Sequence, residues 1–156
     1  MESTLSTTAW TNVAEIELVY KSNVKVCDRP KVTTAADAAK LLQGIWDENK
    51  IEFVEQFKVL LLNQANHVLG CVNVSTGNAI GTIADPKLVL VAAIKANACK
   101  IIISHNHPSG NLKPSRADEI LTQKIRQAAE FHDIRLFDHV IVSSEGYYSF
   151  ADDGLL

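Results

Sequence analysis

The chain has few of the features that mark an unusual environment. Its three cysteines, Cys27, Cys71 and Cys99, are isolated and odd in number. That excludes a disulfide framework and a CxxC zinc site. A reducing, cytoplasmic compartment is the simplest expectation, with all three thiols serving as buried small hydrophobes. No apolar run is long enough to span a bilayer, so no membrane association is expected. The N-terminus, "MESTLSTTAW", lacks a basic segment followed by an apolar one, and no signal peptide is read there. There is no long basic run and the formal net charge is −3, which argues against nucleic-acid binding by this chain alone. No internal repeat, linker or low-complexity block is found.

What is present is the composition of an ordinary globular domain. The chain has 156 residues, 47% of them hydrophobic and 21% charged, enough for one domain with a sizeable core. Residues 1–12, rich in Ser and Thr, read as a flexible tail, and 13–156 as a single domain. "AEIELVYK" alternates with Ile16, Leu18 and Tyr20 on one face, as a strand does. "VTTAADAAKLLQGIWDE" reads as a helix capped by Thr34, with Asp37 in its first turn and Ala38, Leu41, Leu42 and Ile45 at helical spacing. "FKVLLLN" and "VLGCVNVS" flank the polar "QANH" as the arms of a hairpin. "STGN" reads as a turn and "AIGTIA" as a further strand. Asp85-Pro86 opens a helix through Leu88, Ala92, Ala93 and Ala96. "KIIISH" is a short strand of the buried, β-branched type. After the loop "NHPSGNLKP", a helix starts at Ser115 and carries Ala117, Ile120, Leu121, Ile125, Ala128 and Ala129 on one side. "IRLFDHVIVS" and the end of "EGYYSF" supply the last strands. Strands mixed with helices in this order predict an α/β (α+β) layered domain with a mixed β-sheet.

The chemistry concentrates in "SHNHPSGNLKPSRAD", residues 104–118. His105 and His107 stand two apart at a strand end, so their rings point to one side. Asp118 lies eleven residues beyond His107, on the first turn of the next helix. Strand ends and helix starts converge in such folds. Two imidazole nitrogens and one carboxylate oxygen suit Zn²⁺ and leave a fourth position for water. Such a site also needs a base and an oxyanion donor. Ser115, at the helix entrance, could donate. A carboxylate from elsewhere would be the base, with Glu52 and Glu55 as candidates before a strand. Ser115 with Asp118 equally fits a helix cap with an acid at the third helical position. A cap, however, gives no reason for the histidines.

The pattern His105-x-His107-x7-Ser115-x2-Asp118 resembles the JAMM signature of the MPN-domain (JAB) metalloproteases. "HNHPSG" with "PSRAD", then "LFDHVIV", is similar to the RadC-like branch of that superfamily. The similarity runs from about Ile16 to the C-terminus and is most specific from Glu55 to His139. The resemblance implies that His105, His107 and Asp118 hold one zinc per chain. It implies that Ser115 helps to stabilise the tetrahedral intermediate and that Glu55, rather than Glu52, is the general base. It also implies a three-layer fold, a mixed sheet flanked by helices and similar to cytidine deaminase. Longer RadC-like proteins carry an N-terminal helix-hairpin-helix region; the residues before Glu55 read instead as a tail, a strand and a helix. The family's DNA-repair label therefore finds little support in this chain, and it rests on a name rather than on a site.

Other residues read as structural. Asp138-His139 is expected in the core, with support of a metal ligand as the alternative. His67 in a turn and His132 at a helix end are expected in solvent. Asn106 and Ser109 could orient substrate or hold the loop. Trp10, Trp46, Tyr147 and Tyr148 could mark a partner surface, but packing is the simpler role. The leading function is a zinc metallopeptidase acting on a peptide or protein-conjugate substrate through a peptide or isopeptide bond. The alternative is a non-catalytic metal-binding module in a DNA-repair or mobile-element complex. A base deaminase would need HxE and PCxxC, whereas position 107 is His and no PCxxC occurs. Two-metal nuclease chemistry wants more carboxylates than this motif supplies.

Overall fold

A computed structural model describes residues 21–77 and 84–156, together with Ala14, Glu17 and Val19. The tail, most of the strand expected at "AEIELVYK" and nearly all of "AIGTIA" lie outside the described residues.

Thr34 starts the first helix for a physical reason. Its hydroxyl accepts from the Asp37 N–H at 3.1 Å while the Asp37 carboxylate accepts from the Thr34 N–H at 3.0 Å, a reciprocal capping box. Helix α1 follows as Ala35–Ile45. The expected hairpin is present: β1 (Gln56–Leu62) pairs antiparallel with β2 (Val68–Thr76). Asp85 caps α2 (Pro86–Lys95) by accepting from the Lys87 N–H, with Pro86 at a first-turn position that needs no donor. Then come β3 (Lys100–Asn106), α3 (Arg116–Glu130), β4 (Arg135–Val142) and the short β5 (Tyr147–Ser149).

The strands form one five-stranded sheet in the order β2-β1-β3-β4-β5. All neighbours are antiparallel except β3 and β4, which run parallel and are joined through α3. Strand alternation divides the apolar residues between two faces. Leu60, Leu62, Ile102, Val140 and Val142 pack with Ala38, Leu42 and Trp46 on the α1 side. Phe57, Val59, Leu61, Ile101 and Ile103 pack with Val89, Ala93, Ile125 and Ala129 on the side of α2 and α3. This is the expected mixed sheet flanked by helices. Because Ile101 and Ile103 face α3, the same alternation sends His105 that way.

Several expected burial patterns are corrected. Cys27 and Cys71 are exposed and Cys99 is half-buried. Cys27 sits in a surface 3₁₀ turn and Cys71 on β2, which ends the sheet among the described residues. Ile45, Leu88 and Ile120 point outward, and Ala39, Val89 and Thr122 take the inward positions. A short rotation of each helix stripe suffices, because these helices cover the sheet with small residues. His67 is half-buried rather than free: its Nδ1 lies 3.4 Å from the Arg29 carbonyl. His132 is exposed, as expected. Trp46 is core, Tyr148 half-buried and Tyr147 exposed, whereas Trp10 lies outside the described residues. Among the described residues no helix is long and apolar enough to cross a membrane.

Candidate metal centre

His105 is the last but one residue of β3 and is 1% exposed; its ring stacks on Phe57 with planes 6° apart. His107 follows where the chain leaves the strand, and its N–H donates to the Val142 carbonyl at 3.1 Å. The parallel crossover through α3 then returns the helix start to the same sheet end. The three candidate ligand groups, His105, His107 and Asp118, accordingly come together. His105 Nε2 lies 2.9 Å from His107 Nε2 and 3.3 Å from Asp118 Oδ1, and His107 Nε2 lies 3.9 Å from Asp118 Oδ2. Ligand atoms about 2.1 Å from a tetrahedral zinc stand roughly 3.4 Å apart, so the spacing suits one ion. His107 and Asp118 keep 17% and 16% of their side chains exposed, so the cluster opens to solvent on their side.

The donors and acceptors around the cluster suit a cation. His107 Nδ1 contacts the Asn111 carbonyl, which can only accept, so that nitrogen carries the proton and Nε2 carries a lone pair. His105 Nδ1 is engaged at 2.9 Å with His139 Nε2, away from the cluster. Two imidazole nitrogens and the Asp118 carboxylate therefore face one another across a small pocket. Such a donor set calls for a positive charge at its centre, a metal ion or a proton. Residues and group fit.

Ser115 and Asp118 form a second capping box. Asp118 Oδ2 accepts from the Ser115 N–H and O–H, each at 2.7 Å, and Ser115 Oγ accepts from the Asp118 N–H at 3.1 Å. The cap and the cluster thus share one carboxylate, with Oδ2 fixed by the helix start and Oδ1 left toward His105. Burial pushes the Asp118 carboxyl up, but positive charge on the His105 side and the Ser115 donors outweigh it and hold the group below the usual carboxylate range.

Neither upstream glutamate joins the ligand cluster. Glu52 is exposed and Glu55 half-buried, immediately before β1. Phe57 pairs with His105, so the antiparallel register carries residue 55 to the level of His107. Asn106 brackets it: Oδ1 accepts from the Gln56 N–H at 2.7 Å, and Nδ2 donates to the Ile51 and Val54 carbonyls at 2.7 and 2.9 Å. Between orienting substrate and holding the chain, Asn106 does the second. Ser109 holds the loop more weakly, accepting from the Asn111 N–H at 3.4 Å.

Sequence reasoning missed Thr122. It is fully buried, its Oγ1 lies 2.6 Å from the Asp118 carbonyl and 2.6 Å from His139 Nδ1. The available signal was a β-branched hydroxyl one turn after Asp118. His139 is wholly buried, with Phe150 stacked on it at 4.4 Å. Burial, and next the neighbouring His105, hold its pKa well below the ordinary value. Asp138 faces elsewhere and ties β4 to the C-terminal turn, accepting from Ser149 Oγ at 2.6 Å and the Ala151 N–H at 3.0 Å.

Residues 32–155 match the model of the RadC-like JAB domain. The chain belongs to that family. A UPF0758 protein of Flavobacterium johnsoniae is 38% identical over 144 residues, 92% of this chain and 62% of the relative. The UPF0758 protein YfjY of Escherichia coli is 42% identical over 102 residues, 65% of this chain and 64% of the relative. A UPF0758 protein of Porphyromonas gingivalis is 45% identical over 103 residues, 65% of this chain and 45% of the relative. The chain thus spans less than two thirds of the length of these curated relatives. Their names state no activity. Family and geometry agree on a domain compatible with a metallohydrolase, with a His-His-Asp group able to hold a metal ion.

Proposed function

We propose that the chain is a zinc-dependent metallohydrolase that cleaves a peptide or isopeptide bond. The observation that carries the reading is the convergence of His105 Nε2, His107 Nε2 and Asp118 Oδ1 on a point that stays open to solvent on one side. A closed structural zinc site would have four protein ligands; three ligands with an open side are the catalytic pattern. Mixed nitrogen and oxygen donors suit zinc, one of the divalent ions that imidazole ligands accept.

His105, His107 and Asp118 hold the metal, which when bound supplies Lewis-acid activation of water and of a carbonyl at neutral pH. Glu55 is the general base: it takes a proton from the attacking water and delivers it to the leaving amine. Asn106 supports that role by fixing the backbone on both sides of residue 55. Ser115 donates to the developing oxyanion. That requires its hydroxyl to turn from Asp118 Oδ2 toward substrate, while its backbone N–H keeps hold of the carboxylate. The substrate is a peptide or a protein conjugate.

The test combines metal content with turnover. Purified protein is expected to hold about one zinc per chain and to cleave members of a quenched-fluorescent peptide library that includes ε-lysyl isopeptides. Glu55→Gln should keep the zinc and lose roughly 100- to 10,000-fold in turnover, the usual worth of a positioned acid–base group. Zinc-loaded protein that cleaves nothing in the library sinks the hydrolase reading. Full turnover in Glu55→Gln sinks the base assignment alone.

A further inference from the structure

Two short contacts meet on one hydroxyl behind the metal centre. Thr122 Oγ1 is 2.6 Å from the Asp118 carbonyl and 2.6 Å from His139 Nδ1. A hydroxyl has one proton. The carbonyl cannot donate, so the Thr122 proton must go to it. His139 Nδ1 must then supply the proton for the second contact. His139, wholly buried between aromatic rings and so carrying a single ring proton, is left with a bare Nε2, which accepts at 2.9 Å from His105 Nδ1–H. His105 consequently keeps no proton on Nε2, the atom facing His107 and Asp118. Given the single proton that burial leaves on His139, every direction in the chain follows from the one group that can only accept. That group is the main-chain carbonyl of Asp118, whose side-chain carboxylate is a ligand candidate.

We infer that Thr122 and His139 are positioning residues, a buried relay that fixes the tautomer of His105 and presents its Nε2 lone pair to the metal. The inference rests on the metal reading above, but not on hydrolysis. The relay is rigid for visible reasons. Thr122 and His139 are both fully buried, and Phe150 stacks on the His139 ring with planes 13° apart. The parallel register sets Ile103 beside His139, the face that carries His105. A metal-bound histidine usually donates its second N–H to a carboxylate, carbonyl or water. Here the acceptor is another histidine, which can hold either tautomer, and Thr122 removes that ambiguity. His107 has no such need: its Nδ1 is pinned by the Asn111 carbonyl at the surface.

Thr122→Val keeps the shape and removes the hydroxyl. His139 is then free to carry its proton on Nε2 and donate to His105 Nδ1, which drives the His105 proton onto the metal-facing nitrogen. Zinc affinity, read by chelator competition on the purified chain, should fall roughly 10- to 100-fold, the usual cost of losing an outer partner. Thr122→Ser should restore it. Long-range ¹H–¹⁵N correlation spectra of histidine-labelled wild type should show His139 as the Nδ1–H tautomer. Unchanged zinc affinity in a Thr122→Val variant that melts cooperatively overturns the relay. So does a wild-type His139 with its proton on Nε2. If wild type takes no zinc, the hydrolase reading fails by itself, and the spectra still decide whether the relay exists.

Discussion

The chain builds the same capping box twice, and the two copies do different things. At α1, Asp37 Oδ2 gathers the Thr33 N–H, the Thr33 hydroxyl and the Thr34 N–H, all at 2.9–3.0 Å. At α3, Asp118 Oδ2 gathers only the Ser115 N–H and O–H, and Oδ1 looks toward His105 at 3.3 Å. Both helices start the same way and for the same reason. The first carboxylate makes its contacts at its own helix start. The second also faces two imidazoles across the end of β3, with Oδ1 3.3 Å from His105 Nε2 and Oδ2 3.9 Å from His107 Nε2. A motif of the form Ser/Thr-x-x-Asp therefore decides where a helix begins. Whether it also holds a metal is decided by what the sheet brings opposite.

The strongest way to break this comparison is to remove both acids. Asp37→Ala and Asp118→Ala each destroy one capping box, so each should lower the melting temperature. Only Asp118→Ala should lower zinc affinity. Removing a direct ligand should exceed the roughly 100-fold upper cost of losing an outer partner. Equal zinc binding in the two variants would make the α3 box a cap and nothing more.

A slightly smaller effect is expected from the ion itself. Zinc at 100 times its Kd should stabilise wild type by about 2.7 kcal/mol, a rise of roughly 5–11 °C in Tm for a domain of this size. The same addition should leave His107→Ala where it was. A zinc-induced shift that survives in His107→Ala would place the bound ion somewhere other than this cluster.

The comparison also shows what a sequence can carry. Both boxes, the hairpin and the order of helices and strands are local patterns, and each was legible because its cause lies within a few residues. The trio His105, His107 and Asp118 was legible for a related reason: strand alternation and a helix start constrain where those side chains point. The Thr122–His139 relay was not. Those two residues are 17 apart and meet only because β3 and β4 run parallel with α3 laid over them. The register also shifts between Ile101 and Ile102 before His139 falls beside Ile103. One residue of slip would send His139 to the other face. The Asn106 clamp was equally hidden, since it joins segments some fifty residues apart. The exposed cysteines were misread because composition says how often a thiol is buried, not which strand ends the sheet.

Single caps sharpen the contrast at lower cost. Thr34→Ala and Ser115→Ala should each cost about 1 kcal/mol of stability, the usual worth of an N-cap hydroxyl. Their thermal melts should look alike in zinc-free buffer. In the presence of zinc they should separate, because Ser115 orients a ligand and Thr34 does not. Indistinguishable zinc affinities would show that the Ser115 N–H alone holds Asp118 in place.

The smallest effect is one of pH, and it isolates the α1 box. The Thr33 N–H, then the Thr33 hydroxyl and the Thr34 donors, lower Asp37 from 3.8 to about 2 in the folded chain. A carboxyl whose folded pKa is depressed contributes stability above its unfolded pKa and loses it as pH falls toward the folded one. Asp37 should therefore contribute fully above about pH 4 and progressively less down to about pH 2. Asp37→Asn should flatten that part of the acid-denaturation curve in metal-free protein while leaving the neutral-pH zinc affinity intact. Asp118, also depressed, loses its carboxylate over the acid range too, but there the same protonation also removes a metal ligand. Acid titration with and without zinc should consequently give coincident curves for the contribution of Asp37 and divergent ones for that of Asp118. Divergence at Asp37 would mean that the two boxes communicate through the sheet, which their separate packing on opposite faces gives no reason to expect.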